Sequence, residues 1–358
     1  MATTGDLAGQ TVLVTGGAGF IGSAISQTVA PLVERFIALD NLHRQVHPTG
    51  ERPTTLHAAA ELRVCDVTDA ATWDDILAEV HPDIVIHLAA ETGTGQSLSE
   101  STRHGLVNVV GTTQLLDGLT RADVTPGHLL LSSSRAVYGE GAWQDAAGRV
   151  FYPGQRDHVQ LAAGQWDFPA ARSLPSAAAV TRPDPGSVYG ATKLAQEHVL
   201  AAWCRARSVP LTVLRLQNVY GPGQSLTNSY TGIVALFSQL ARAGEAIPLY
   251  EDGRVTRDFV YIEDVASAFH AALLGPREPL VVADIGSGVG STIQDMAQEL
   301  AAFHGAPAPV VNGRFRDGDV RHASCSIEDA RRLLGWEPQW PLARGLAGLQ
   351  SWIETILT

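Results

Sequence analysis

The chain has 358 residues, 45% hydrophobic and 17% charged, with 25 Lys and Arg against 37 Asp and Glu for a net charge of −12. That length supports one large domain or two modest ones around a substantial core. The acidic balance argues against a non-specific nucleic-acid or anionic-membrane binder, yet leaves room for a small anion in a local basic pocket. Cys65, Cys204 and Cys325 are odd in number and far apart, which suggests neither a disulfide framework nor a metal site and fits a reducing cytoplasm. The opening "MATTGDLAGQ" lacks a basic region followed by an apolar core, so no signal peptide is expected. No apolar run approaches the ~20 residues needed to span a bilayer, so neither membrane nor nucleic acid is an expected partner.

In chain order, "TVLVTG" (11–16) reads as a buried strand and "SAISQTVAPLVE" as the helix after it. "RFIALDN" (35–41), "ELRVCDV" (61–67), "DIVIHLAA" (83–90) and "HLLLSSS" (128–134) read as further strands, with helices around 69–80 and 100–122. This alternation predicts an α/β fold, a Rossmann-type doubly wound parallel sheet with helices on both faces. Residues 141–186 carry Gly, Pro, Ala and Ser with weak periodicity, and "RSLPSAAAVTRPDPGS" reads as loop, so an insertion or lid is expected there. A helix over 189–208, the strand "LTVLRLQNV" (211–219), a helix near 230–243 and the segment "RDFVYIEDVASAFHAALL" follow. The strand "LVVADIGSG" and the helix "TIQDMAQELAAF" precede a tail with "DARRLLGWEPQW". The expected division is residues 1–186 as mainly the dinucleotide-binding domain, and 187–358 as its remaining elements plus a smaller C-terminal α/β substrate-binding lobe.

"VTGGAGFIG" puts Gly16, Gly19 and Gly22 between the first strand and its helix. Glycine permits the tight turn and the close approach of backbone N–H groups to a pyrophosphate, which the helix N-terminus stabilises. The second strand ends in Asp40, eighteen residues after Gly22, where a carboxylate accepts hydrogen bonds from the adenosine ribose. Asp40 repels a 2′-phosphate and favours NAD over NADP; nearby Arg44 keeps the second open. "YGATK" places Tyr189 and Lys193 four apart, on one helix face. An ammonium and a positive nicotinamide favour the phenolate, which then takes a hydroxyl proton while hydride leaves the same carbon.

The three-residue glycine spacing resembles the extended short-chain dehydrogenase/reductase family, in its NAD-dependent nucleotide-sugar epimerase and dehydratase group, and the likeness runs across nearly the whole chain. It implies cofactor contacts from Gly16, Gly19, Phe20, Ile21 and Gly22 in the loop and from Asp40 and Asn41 at the second strand. Asp66 and Val67 of "CDVTD" bracket the adenine, Leu88, Ala89 and Ala90 of "HLAA" lie beside the cofactor, and Asn108 of "NVVGT", Ser132, Tyr189 and Lys193 complete the set. The catalytic hydroxyl is Ser134, three before Val137, with Ser133 the strand end and Lys193 also holding the nicotinamide ribose. Substrate contacts by the same likeness are Thr94, Ser134, Asn218 on the diphosphate, Arg257 and Arg316 on phosphate, and Asp319 at the nucleoside ribose. Arg321 is a further phosphate candidate. Arginines converging on a diphosphate would let an acidic protein hold an anion.

Within this family the dehydratases carry Asp-Glu after the catalytic hydroxyl, and the decarboxylases keep the Glu. Arg135 and Ala136 stand there instead, and no cysteine acid of the 3,5-epimerase kind lies near. Reversible hydride transfer remains: C4 oxidation to a 4-keto sugar, rotation, and hydride return to the opposite face. The insertion and the loop "AAETGTGQS" resemble 4-epimerases of dTDP-6-deoxyhexoses such as dTDP-L-rhamnose. Those proteins often carry a cysteine pair late in the insertion, whereas "DFPAARSLPSAAAVTRP" has none, so no metal-stapled lid is expected. Alternatives are a 4-keto-sugar reductase, a UDP-hexose or UDP-hexuronate 4-epimerase, and a non-enzymatic NAD-binding sensor. The family likeness also implies a homodimer through helices near 98–120 and 189–208.

Overall fold

The structure, a computed structural model, describes residues 7–226 and 232–357. Seven strands form its main sheet: β1 (Thr11–Thr15), β2 (Arg35–Asp40), β3 (Ala60–Val64), β4 (Ile84–His87), β5 (His128–Ser134), β6 (Leu211–Leu216) and β7 (Leu280–Ile285). Their order is β3-β2-β1-β4-β5-β6-β7, and every neighbouring pair is parallel. Parallel strands need crossovers, and the crossover helices cover both faces, so alternate residues enter two different cores. Val12 and Val14 pack with Ile25 of α1 (Phe20–Val29) and Phe269 of α5 (Ile262–Leu274). Leu13 faces the other way, toward Trp73 of α2 (Ala70–Glu79), Leu115 of α3 (Gly111–Arg121) and Leu200 of α4 (Val188–Arg207). The winding reverses between β1 and β4, which opens a crevice at the carboxyl ends of the strands.

The expected strand 211–219 divides. β6 stops at Leu216, and Asn218–Tyr220 pairs instead with Thr256–Tyr261. The chain changes sheets at Gln217, because the second segment buries its side chains in a different core. That smaller lobe adds Gly290–Thr292 and His322–Ala323. Its helices are Ile233–Arg242, Ile293–His304 and Leu342–Leu357, joined through Phe237, Met296 and Leu349. The last of these helices had no sequence-based counterpart, and residues 230 and 231 of the helix expected near 230–243 lie outside the described residues. Among the described residues no helix is long and apolar enough to cross a membrane.

The stretch 141–186, expected as an insertion or lid, holds three antiparallel strands, Trp143–Asp145, Val150–Phe151 and Ala171–Ser173, and a short helix His158–Ala162, while the part read as loop carries no helix or strand beyond Ser173. Trp143 is buried with its ring against Phe168, centroids 4.9 Å apart. Arg156, also buried, donates to Glu251 (2.9 Å, both oxygens), to Glu140 (3.2 Å) and to the Asp319 carbonyl (2.8 Å). Arg321, offered above as a phosphate ligand, is 1% exposed and enclosed by Asp167, Glu251 and Asp252. The correction has a clear cause: three carboxylates neutralise that guanidinium, so no cation is left for substrate. The two arginines together fasten the insertion to the C-terminal lobe.

Candidate active site

The crevice is a cleft of about 460 Å³. At its cofactor end lie Gly16, Gly19, Phe20, Ile21, Gly22, Asp40, Asn41, Asp66, Val67, Leu88, Ala89 and Ala90. Gly16 has φ +65° and a Cβ there would stand 2.8 Å from the Ala89 nitrogen, so the turn tolerates only glycine. No side chain caps α1 at Gly19, which leaves the first-turn N–H groups facing the cleft as an anion site. Asp40 accepts from the backbone of Ala18 (3.1 Å) and Leu42 (2.9 Å), which sets its carboxylate at the strand end with lone pairs to spare. Asn41 donates to Asp66 at 3.2 Å, and Asp66 also accepts from Thr68, so the two strand-end loops at this end of the cleft are held together. These residues fit NAD. Arg44, which left the 2′-phosphorylated cofactor open, is exposed and outside the cleft lining.

Ser132, Ser134, Tyr189 and Lys193 line the middle of the cleft. Ser134 ends β5 and its Oγ accepts from the Ala136 nitrogen at 3.1 Å, starting the tight helical turn Arg135–Tyr138. α4 begins at its Ser187 cap, which accepts from the Gly190 nitrogen at 3.1 Å. The helix lies directly on that turn, since a Cβ at Gly190 would collide with the Ala136 carbonyl. This contact brings the Tyr189 phenol to the Ser134 hydroxyl. Burial pushes the Tyr189 phenol up, while the hydrogen bond from Ser134 and the charge of Arg135 pull it back toward phenolate. Lys193 donates to Gln196 at 2.6 Å, and burial lowers its ammonium to about 7 despite Glu197 nearby. Gln196 in turn bonds Thr112 (2.8 Å) and His87 (3.2 Å), and burial lowers His87 to about 3, so the imidazole stays neutral.

Two of the three serines diverge. Ser132 and Ser133 both line the cleft, but the Ser133 hydroxyl is committed to Glu197, to which it donates and which grips Arg215 through 3.0 and 2.7 Å bonds. Arg215 donates to Tyr138 at 2.9 Å, and Tyr138 donates to Asp284. This buried network, unforeseen from sequence, ties β5, β6, β7 and α4 together beneath Ser134. Asn108, expected on the cofactor, is fully buried and outside the cleft lining. Its amide accepts from Glu91 N (2.7 Å) and donates to the Glu91 carbonyl (3.0 Å) and Thr192 (2.9 Å), so it braces α4 and the loop after β4.

At the other end, Thr94 and Asn218 line the cleft, and the Asn218 Oδ1 is buried without a hydrogen-bond partner among the described residues. Such an orphaned acceptor marks a place for a ligand donor. Arg257 is buried and paired with Asp319 at 2.8 Å. Asp319 lines a second cavity of about 230 Å³ together with Tyr138 and Glu140. Arg316 lines neither cavity; it is exposed, 5.1 Å above the Tyr250 ring. The structure therefore pairs Arg257 with Asp319, but of the expected phosphate arginines neither Arg257 nor Arg316 lines either cavity, and Arg321 is enclosed by carboxylates. It adds Arg135, which the sequence reading set aside as unable to act as an acid or base, and which lines the cleft beside Ser134. The available signal was an arginine placed directly after Ser134.

A serine, a tyrosine and a lysine meeting beside a dinucleotide cradle define a hydride-transfer enzyme on a Rossmann fold. The chain belongs to the NAD dependent epimerase/dehydratase family, which it matches over residues 12–157 and 159–284. It is 62% identical over 345 residues to the dTDP-L-rhamnose 4-epimerase of Burkholderia thailandensis, covering 96% of this chain and 95% of that one. Its fold is similar to that of the Thermotoga maritima UDP-glucose 4-epimerase solved with UDP-glucose, with a TM-score of 0.79, 28% identity, and coverage of 97% and 100%. It is similar again to the Thermus thermophilus UDP-glucose 4-epimerase solved with NAD, with a TM-score of 0.75, 27% identity, and coverage of 96% and 99%.

Proposed function

We propose that the chain interconverts the C4 epimers of a dTDP-6-deoxyhexose, dTDP-L-rhamnose foremost. One observation carries the chemistry: Ser134, Tyr189 and Lys193 converge in the cleft, while Arg135 and Ala136 occupy the positions where a dehydratase needs an acid and a base. The 62% identity with a dTDP-L-rhamnose 4-epimerase supports the substrate. When bound, NAD supplies a hydride acceptor and donor at the sugar C4.

The residues do the rest. Tyr189 takes the C4 hydroxyl proton as its carbon is oxidised and returns a proton as the ketone is reduced. Ser134 hydrogen-bonds the same oxygen and favours the phenolate. Lys193 supplies the neighbouring amine whose charge depends on what occupies the cleft, because burial alone holds it near neutrality. Asn218 and Arg257 hold the diphosphate, and Asp319 the nucleoside ribose. The 4-keto sugar turns between the two half-reactions.

Incubation with dTDP-L-rhamnose and no added cofactor, followed by chromatographic separation of epimers, is expected to show a second epimer. Turnover is expected to vanish in Tyr189→Phe with NAD binding kept. In heavy water the product is expected to gain no deuterium at C4; deuterium at C3 or C5 would overturn the mechanism. A requirement for added NADH with net reduction would instead indicate a 4-ketoreductase.

The enzyme is further read as a cytoplasmic homodimer. Its three free thiols suit a reducing compartment. Leu98, Leu106 and Val110 are 66%, 48% and 39% exposed at helical spacing on the stretch that leads into α3, and an apolar stripe of this kind suits a helix-bundle interface. Leu106→Glu is expected to halve the mass seen by light scattering.

A further inference from the structure

Arg135 is a guanidinium beside Ser134 that the chemistry above leaves without a task. It is half-buried, it lines the cleft beside Ser134, and among the described residues it has no hydrogen-bond or ion-pair partner. The carboxylates around it are engaged elsewhere: Asp319 with Arg257, and Glu140 with Arg156 and the Arg321 backbone. Burial, together with the like charge of Arg257, lowers the Arg135 guanidinium to about 10. Arg257 stands outside the cleft lining but close enough for its charge to act on Arg135, and with Asp319 as the one carboxylate paired to Arg257 the two guanidiniums leave a net positive charge that an anionic ligand would neutralise.

The order of groups along a nucleotide sugar says which anion. With the sugar C4 at Ser134 and Tyr189 and the nucleoside toward Asp319, the group spanning the gap is the anomeric carbon and the phosphate attached to it. We propose that Arg135 binds the sugar-linked phosphate of the substrate, acting with Arg257 as a two-arginine clamp on the diphosphate. Guanidinium matches phosphate through paired N–H donors. Anchoring at the phosphate, rather than at a ring hydroxyl, leaves the hexose free to turn about its glycosidic bonds. An epimerase has to allow that turn, and a clamp on the ring would forbid it.

The clamp requires a nucleotide diphosphate in this cleft but not any particular hexose, so it is tested without turnover. The NAD-loaded protein and its Arg135→Gln and Arg135→Lys variants are titrated by calorimetry with dTDP, UDP, dTMP and UMP. Loss of a charge-assisted hydrogen bond of about 1.5–3 kcal/mol predicts roughly 10- to 100-fold weaker diphosphate binding in Arg135→Gln. Monophosphate binding, which lacks the sugar-linked phosphate, is expected to change by less than about twofold, and Arg135→Lys to recover part of the loss. Unchanged melting temperature with NAD would show that the variants fold. Equal effects on mono- and diphosphates, or no effect on either, would overturn the clamp. Selective loss of diphosphate affinity in a protein that does not epimerise dTDP-L-rhamnose would keep the clamp and reject the substrate.

Discussion

Lys193 sits where an ammonium is least favoured, buried beneath the cleft with a glutamine as its hydrogen-bond acceptor. Its folded value of about 7 lies below the ~10.4 of an unfolded lysine. Between those values the unfolded chain binds the proton that the folded chain refuses, so this side chain destabilises the cofactor-free fold most at and below pH 7, and the penalty fades as pH rises toward 10. Lys193→Met is therefore expected to abolish turnover yet raise the melting temperature of the cofactor-free protein at pH 6–7, with the gain gone near pH 10. Scanning calorimetry across that range checks it. Gly190 is the other decisive residue, since its missing Cβ lets α4 lie on the Ala136 carbonyl. Gly190→Ala is expected to lower kcat by about 100-fold through misplacement of Tyr189 relative to Ser134, with NAD affinity retained in a binding titration.

Among elements, the pairing of α4 with β5 and β6 matters most, and it is carried by charge as much as by apolar packing. Glu197, one turn beyond Lys193, bonds Ser133 and Arg215, and all three are buried. Removing one member of such a pair leaves the other charge uncompensated, so Glu197→Ala is expected to cost about 3–5 kcal/mol by urea unfolding. The double change Glu197→Leu with Arg215→Met is expected to cost less than Glu197→Ala alone. The insertion follows the same logic. Its hydrophobic periodicity is weak because Arg156 and Arg321, rather than an apolar stripe, hold it down. Arg156→Met is expected to speed proteolytic cleavage within 141–186 several-fold and to raise KM, since Arg156 also bonds the Asp319 carbonyl.

At the scale of the whole molecule, the two lobes interleave along the chain: β6 and β7 return to the first sheet from either side of the strand Thr256–Tyr261. The cleft is therefore lined by segments distant in sequence. Removal of NAD is expected to lower the melting temperature, because a ligand at a hundred times its Kd stabilises the fold by about 2.7 kcal/mol. The dinucleotide end was legible from sequence, since glycine turn, strand and helix are contiguous there and each constrains the next. Ser134, Tyr189 and Lys193 were legible for a related reason, one strand end and one helix turn holding all three. The phosphate end was not. Arg257, Arg316 and Arg321 share a residue type and a region of chain, yet one is paired with Asp319, one is solvent-exposed and one is enclosed by carboxylates. Local periodicity and motif spacing thus determined the fold class, the glycine turn and the serine, tyrosine and lysine that meet in the cleft. Only the tertiary structure decided which cations face the substrate, because whether an arginine is free depends on carboxylates brought to it from remote parts of the chain.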